Sequence, residues 1–300
     1  MASCAQIRPN LPFTEIIEDI LPLLDDVLPS SGGLLAMFKA YMDRAAKRGD
    51  KDEVMCVACV IFKPVAYRQF VRDWNRMLAA WGADAFHAKE FFPGAGSFKR
   101  DTPHREFLYE QDSRRIPQMI AQSISRIMVI SFRPEEFLAM ASSEWKEQIG
   151  TCLHSQATQI CLLINGDWLL EDGLKNESFA YFMESGDEDE AEVVRAVSHM
   201  RAHEKTARLI RAKSFTIVDK GQARGLEAAD YVAWQWNKYY IESDSWTDRS
   251  RWPRKDFLSL IDGVARNKCK LIFGTGEDLK YYFNLFDPED LKVRYHKRHD

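Results

Sequence analysis

The nine residues VMCVACVIF at 54–62 form an unbroken apolar run between Glu53 and the Lys63-Pro64 pair. The run is too short and too rich in β-branched side chains for a helix, which predicts a buried strand. The period then changes. From Tyr67 to Trp81 the large apolar residues Phe70, Trp74, Leu78 and Trp81 recur at helical spacing, which predicts a helix ended by Gly82. The alternation continues. Arg105–Ser125 reads as a helix, Ile127–Phe132 as a strand, Glu135–Gln148 and Cys152–Leu163 as helices, and Phe179–Met183 as a short strand. Glu190–Glu204 reads as a helix, Ile210–Val218 as a strand, and Leu226–Tyr240 as a helix with an apolar stripe at Ala229, Val232, Ala233 and Trp236. Strands interleaved with helices predict an α/β layered fold.

Upstream, Ile16, Ile17, Ile20, Leu21 and Leu24 predict an amphipathic helix over Phe13–Leu28, with Thr14 as its N-cap. Beyond Tyr240 aromatic and charged residues mix, Phe257–Ala265 predicts a helix, and the sequence ends in the basic KVRYHKRHD. Boundaries at Leu28–Gly33 and Ser243–Pro253 divide the chain into an N-terminal helical extension (1–33), a central α/β domain (34–242) and a C-terminal helical extension with a basic tail (243–300).

Composition narrows the function classes. In 300 residues, 46% are hydrophobic and 12% aromatic, enough to bury a core that offsets chain entropy. The net charge of −4 gives no global positive field toward nucleic acid or acidic membrane, so any anion site is local. Six scattered cysteines point to a reducing, cytoplasmic setting rather than a disulfide scaffold. No signal-like start and no uncharged apolar run of about 18 residues is found, so no membrane association is expected. Cys56 and Cys59 lie inside the apolar strand and read as core, and His199 and His203 read as an exposed helical pair without an H-E-x-x-H motif. A Gly-rich nucleotide loop and a G-x-S-x-G elbow are both missing.

Four carboxylates stand where such a fold could gather them: Asp43, Glu90, Glu184 and Asp230. Asp230 is the sharpest case. In GLEAADYVAW it is flanked by Ala228, Ala229, Tyr231, Val232 and Ala233, and a carboxylate among such neighbours needs a partner, a metal or a helix dipole.

The series AYMD (40–43), FHAKEF (86–91), YFMESGD (181–187) and FTIVDKGQARGLEAADYVAW (215–234) resembles the domain of unknown function 3800 family over roughly Phe38–Tyr240. That resemblance implies a ribonuclease H-like mixed sheet flanked by helices, with Asp43, Glu90, Glu184 and Asp230 binding Mg²⁺ or Mn²⁺ and His87 at the family histidine. Two such ions can stabilise the attacking and leaving oxygens of a phosphodiester, so the expected activity is nucleic-acid hydrolysis. His87 either positions a water or phosphate oxygen or is a buried structural histidine, and Asp187 is either a further ligand or a helix N-cap. Lys89, Lys213, Lys220 and Arg224 are candidates for phosphate contact, with Lys220 and Arg224 just before the Asp230 helix. Basic residues among Arg249–Lys270, interleaved with Trp252 and Phe257, read as a nucleic-acid flank or a solvated helical face.

The chain departs from the family at two places. After Asp43 the acidic, Ser and Gly positions hold Arg44, Ala45 and Ala46, and the terminal Gln is Glu227. Arg44 adds positive charge beside an expected metal ligand or else contacts a phosphate, and Glu227 is either a displaced ligand or an exposed helix-start acid. The alternative function is therefore a catalytically degenerate relative that binds nucleic acid or a protein partner. Whether the chain forms a homo-oligomer stays open.

Overall fold

The protein is described by a computed structural model covering residues 37–46, 54–62, 64–133, 152–174, 177–243, 255–266 and 270–274. The helices expected at Phe13–Leu28 and Glu135–Gln148 and the basic tail lie outside the described residues. The chain divides into two units, Met1–Ala36 and Met37–Asp300, and the description concerns the second.

Six strands, β1 (Met37–Ala46), β2 (Met55–Phe62), β3 (Ile124–Phe132), β4 (Ser178–Glu184), β5 (Ala212–Val218) and β6 (Lys270–Gly274), form one open mixed sheet in the order β5-β4-β1-β2-β3-β6. The β2 strand runs antiparallel to both β1 and β3, whereas β1, β4 and β5 are mutually parallel and β6 is parallel to β3. Helices flank the sheet: α1 (Pro64–Trp81), the short α2 (Ala88–Phe91), α3 (Pro103–Ser123), α4 (Leu153–Glu171), α5 (Glu190–Ala202), α6 (Glu204–Ile210), α7 (Arg224–Ser243) and α8 (Lys255–Arg266). The α/β class read from the sequence is the one observed.

VMCVACVIF is buried along its whole length because both of its faces are covered. Successive side chains of a strand point to opposite faces. Cys56, Ala58, Val60 and Phe62 join the core beneath α1, α3 and α7, with Phe70, Trp74, Phe86 and Tyr231. Met55, Val57, Cys59 and Ile61 join the second core, which α4 covers with Ile160, Cys161 and Ile164. Cys56 and Cys59 therefore face opposite ways and cannot share one metal or disulfide. Burial pushes the Cys59 thiol up to about 12.

Three elements differ from the sequence reading. The helix expected over Glu190–Glu204 breaks at His203, whose backbone is extended (φ −89°, ψ 121°), so α6 starts a new axis and takes in Ile210. α4 runs on to Glu171, eight residues beyond Leu163, the end expected for it. Lys270–Gly274, with no strand expected, pairs with β3 at the sheet edge, and α8 packs on α3.

α7 lies across β1 and β2, with Cys56 Sγ bonded to Ala233 O at 3.7 Å and Trp236 Nε1 to Ser131 Oγ at 2.8 Å. Its first turn comes so close to β1 that a Cβ on Gly225 would stand 2.2 Å from the Tyr41 ring. That ring is itself stacked on Phe182 and Tyr67, at 5.0 and 5.4 Å between centroids, and has no room to move. Gly225→Ala should therefore lift the start of α7 off β1 and lower stability by about 1–3 kcal/mol. Urea unfolding against wild type measures this, and an unchanged midpoint would contradict the packing.

Candidate functional site

Strand alternation decides which side each charged residue of β1 faces. Asp43 stands opposite Ala58 in the antiparallel register and shares its face with Tyr41, whereas Arg44 stands opposite Val57 and points to the other side of the sheet. In the parallel pairing, Met42 is opposite Met183, which brings Glu184, the next residue of β4, beside Asp43. Asp230 comes from the second turn of α7, and Lys220 from the 3₁₀ turn Lys220–Gln222 that follows β5. Glu184 and Lys220 thus lie at the carboxyl ends of parallel strands, where open α/β sheets form their crevices.

Lys220 is the residue around which the three acids gather. Its Nζ lies 3.0 Å from Asp43 Oδ2, 2.8 Å from Glu184 Oε2 and 3.4 Å from Asp230 Oδ2, and its side chain is 8% exposed. Asp43 is 5% exposed, and its Oδ2 meets the ammonium without hydrogen-bond geometry. Its Oδ1 accepts from the Arg44 amide at 2.7 Å. Asp230 Oδ2 also accepts from the Ala88 amide at 2.8 Å, which ties α7 to the FHAKEF segment. Burial and the neighbouring Asp43 carboxylate push Glu184 up to about 8 and Asp230 up to about 6. The Lys220 ammonium opposes both rises, and the three carboxylates hold that ammonium above the usual lysine range despite its burial.

His87 occupies the N-cap position of the short helix α2, makes no cap bond with its side chain and is half-buried. Burial, and then the Lys220 charge, lower its pKa and favour the neutral imidazole. Glu90, expected as a fourth ligand, makes no ion pair with Lys220, although its charge acts on His87. Among the described residues its carboxylate has no hydrogen-bond or ion-pair partner, and its Oε2 lies where a Cβ on Gly96 would come within 2.3 Å. Lys89 is exposed on α2, and Lys213 is exposed on β5.

Glu227 is neither a displaced ligand nor an exposed acid. It is fully buried, accepting from Trp74 Nε1 at 2.5 Å, from the Phe86 amide at 3.0 Å and from Arg224 Nη1 at 2.5 Å. Arg224 bonds in addition to Asn75 Oδ1 at 2.7 Å and to the Asp84 carbonyl at 2.8 Å, so its guanidinium braces the 84–86 segment where a phosphate contact was expected. Glu227 and Asp230, three residues apart on α7, thus grip the amides of Phe86 and Ala88 and fix His87 between them. Glu227→Ala leaves three donors unmatched and should cost about 3 kcal/mol or more, while Glu227→Gln keeps an acceptor and should cost less. Thermal or urea unfolding of the two variants checks the order.

The opposite face carries the compensation for Arg44. Its guanidinium pairs with Asp187 at 2.8 Å and Asp189 at 2.9 Å, with the sheet between it and the carboxylate cluster. The charge expected to disturb a metal site is therefore neutralised elsewhere. Asp187 is this partner, and Asp189, not Asp187, holds the N-cap position of α5. His154 Nδ1 stands 3.6 Å from Asp187 and its side chain is 1% exposed; burial, followed by Arg44, lowers its pKa to about 4. The folded state therefore prefers neutral imidazole, so this contribution is complete above the unfolded value of about 6.5 and is lost as pH falls from there toward 4. Relative to His154→Gln, the wild type should lose stability between pH 6.5 and 4, read from urea midpoints; parallel curves would contradict this.

The donor set suits a hard divalent ion in chemistry: three converging carboxylates, one with a buried oxygen that lacks a hydrogen-bond donor. The spacing is that of an ammonium ion. Mg²⁺–oxygen distances are about 2.0–2.1 Å, shorter than those to Nζ, and among the described residues no group of three or more His, Cys, Asp or Glu is arranged to hold a metal. No helix among them is long and apolar enough to cross a membrane. No protein-family model matches the chain, and no curated protein matches it at a significant level.

Proposed function

We propose that this chain is a metal-dependent phosphodiester hydrolase of ribonuclease H-like architecture acting on nucleic acid. One observation carries the reading: Asp43, Glu184 and Asp230, from two strands and a helix far apart in sequence, present their carboxylates to a single buried cation position. The open mixed sheet with helices on both faces is compatible with the ribonuclease H-like architecture that the motif resemblance implies. Asp43, Glu184 and Asp230 are the residues that would hold Mg²⁺ or Mn²⁺, which supplies Lewis acidity toward a phosphoryl oxygen and makes bound water easier to deprotonate. His87, neutral and fixed between two clamped amides, orients a water or phosphate oxygen at the rim. Lys89, exposed on the adjoining helix, is placed to meet the phosphate backbone.

A second reading has its own observation. Lys220 already partly neutralises the three acids, as it would in a relative that binds nucleic acid or a protein partner without catalysis. Labelled single- and double-stranded DNA and RNA, incubated with and without Mn²⁺, distinguish the two. The hydrolase reading expects Mn²⁺-dependent cleavage that falls about a hundredfold or more in Asp43→Asn and Asp230→Asn. Metal-independent binding without turnover, or cleavage unchanged in both variants, would favour the second reading or sink the first.

A further inference from the structure

We propose that the Lys220 ammonium is a resident cation that a divalent ion must displace, so that this lysine sets the metal threshold of the site. The inference rests on the hydrolase reading and adds to it how the site is loaded.

The competition follows from which oxygens are free. Asp43 Oδ1 is held by the Arg44 amide, which leaves Oδ2 as the oxygen open to another cation, and that atom is 3.0 Å from Nζ. Asp230 Oδ2 already serves both the Ala88 amide and the ammonium. The Glu184 oxygen turned toward the cluster is 2.8 Å from the same nitrogen. A divalent ion drawing these three oxygens in to its shorter bond lengths would occupy the space Nζ fills, and repulsion between the two cations would drive the ammonium out.

Lys220 is the member of the cluster with the longest and most flexible side chain. Its backbone is held, with the Ala223 amide bonded to its carbonyl at 3.2 Å. Four methylenes separate this anchored backbone from the ammonium, so a divalent ion could displace the head along a flexible stem without moving β5 or α7. The three acids, by contrast, are anchored by a sheet register and a helix.

The test compares Mn²⁺ binding by the full-length wild type, Lys220→Met and Lys220→Arg, measured by calorimetry and by the electron paramagnetic resonance signal of free Mn²⁺, with circular dichroism as the check on folding. Lys220→Met should bind Mn²⁺ at least tenfold more tightly than wild type, and Lys220→Arg no more tightly than wild type. Should Lys220→Met be too unstable without metal, its rise in melting temperature with Mn²⁺ must exceed that of wild type by the amount the tighter binding implies. Equal or weaker Mn²⁺ binding by Lys220→Met, with wild-type cleavage intact, would overturn the displacement alone. Absence of Mn²⁺ binding in both proteins would overturn it together with the hydrolase reading.

Discussion

Three carboxylates held close together at low exposure repel one another and lose hydration, a cost that a cation among them or a proton on one of them offsets. In this protein that cation is the ammonium of Lys220. Its contacts with Asp43, Glu184 and Asp230 join two strands, the turn after β5 and the helix α7, so the same ion pairs that satisfy the charges also fix the relative positions of four elements. The upward displacement of Glu184 and Asp230 comes first from burial and then from the neighbouring Asp43 carboxylate, and the ammonium offsets it only in part. Such a site has a standing affinity for more positive charge, which links its stability to its proposed chemistry.

Around this centre lies a supporting layer with no direct part in it. Glu227 and Arg224 lock the first turn of α7 to Trp74, Asn75 and the 84–86 backbone, and Asp230 continues the grip two residues later at Ala88. The other face of the sheet solves its own charge problem, with Arg44 between Asp187 and Asp189. Adjacent residues of one strand, Asp43 and Arg44, thereby form their ion pairs on opposite faces of the sheet.

Much of this was legible in the sequence, and the exceptions have physical causes. The strand at 54–62 and the helix after it were readable because periodicity and length agree there. The gathering of Asp43, Glu184 and Asp230 was readable from motif order, and among apolar neighbours Asp230 already required a partner. Lys220 appeared only as a phosphate candidate, since nothing in a one-dimensional pattern reveals that a lysine turns inward. Strand parity could have placed Arg44 on the far face, had the strand been traced through Asp43 to Ala46. Glu227 was misread because an acid in a first helical turn is usually solvated, and only the approach of Trp74 and Phe86 makes it internal. Glu90 was drawn in by its motif, whereas its side chain takes the space left by Gly96. The strand Lys270–Gly274 was missed because five residues of mixed character carry no periodic signal.

Energetic coupling between Lys220 and the acids around it holds this centre together, and a double-mutant cycle measures that coupling without reference to any activity. Asp43→Asn, Lys220→Met and the double variant would be unfolded in urea beside the wild type at neutral pH and without divalent ions. A favourable interaction of about 1–3 kcal/mol between the two positions is the predicted result. Strictly additive effects would mean that the ammonium and the carboxylate do not meet, and the cation position at the centre of this structure would be lost.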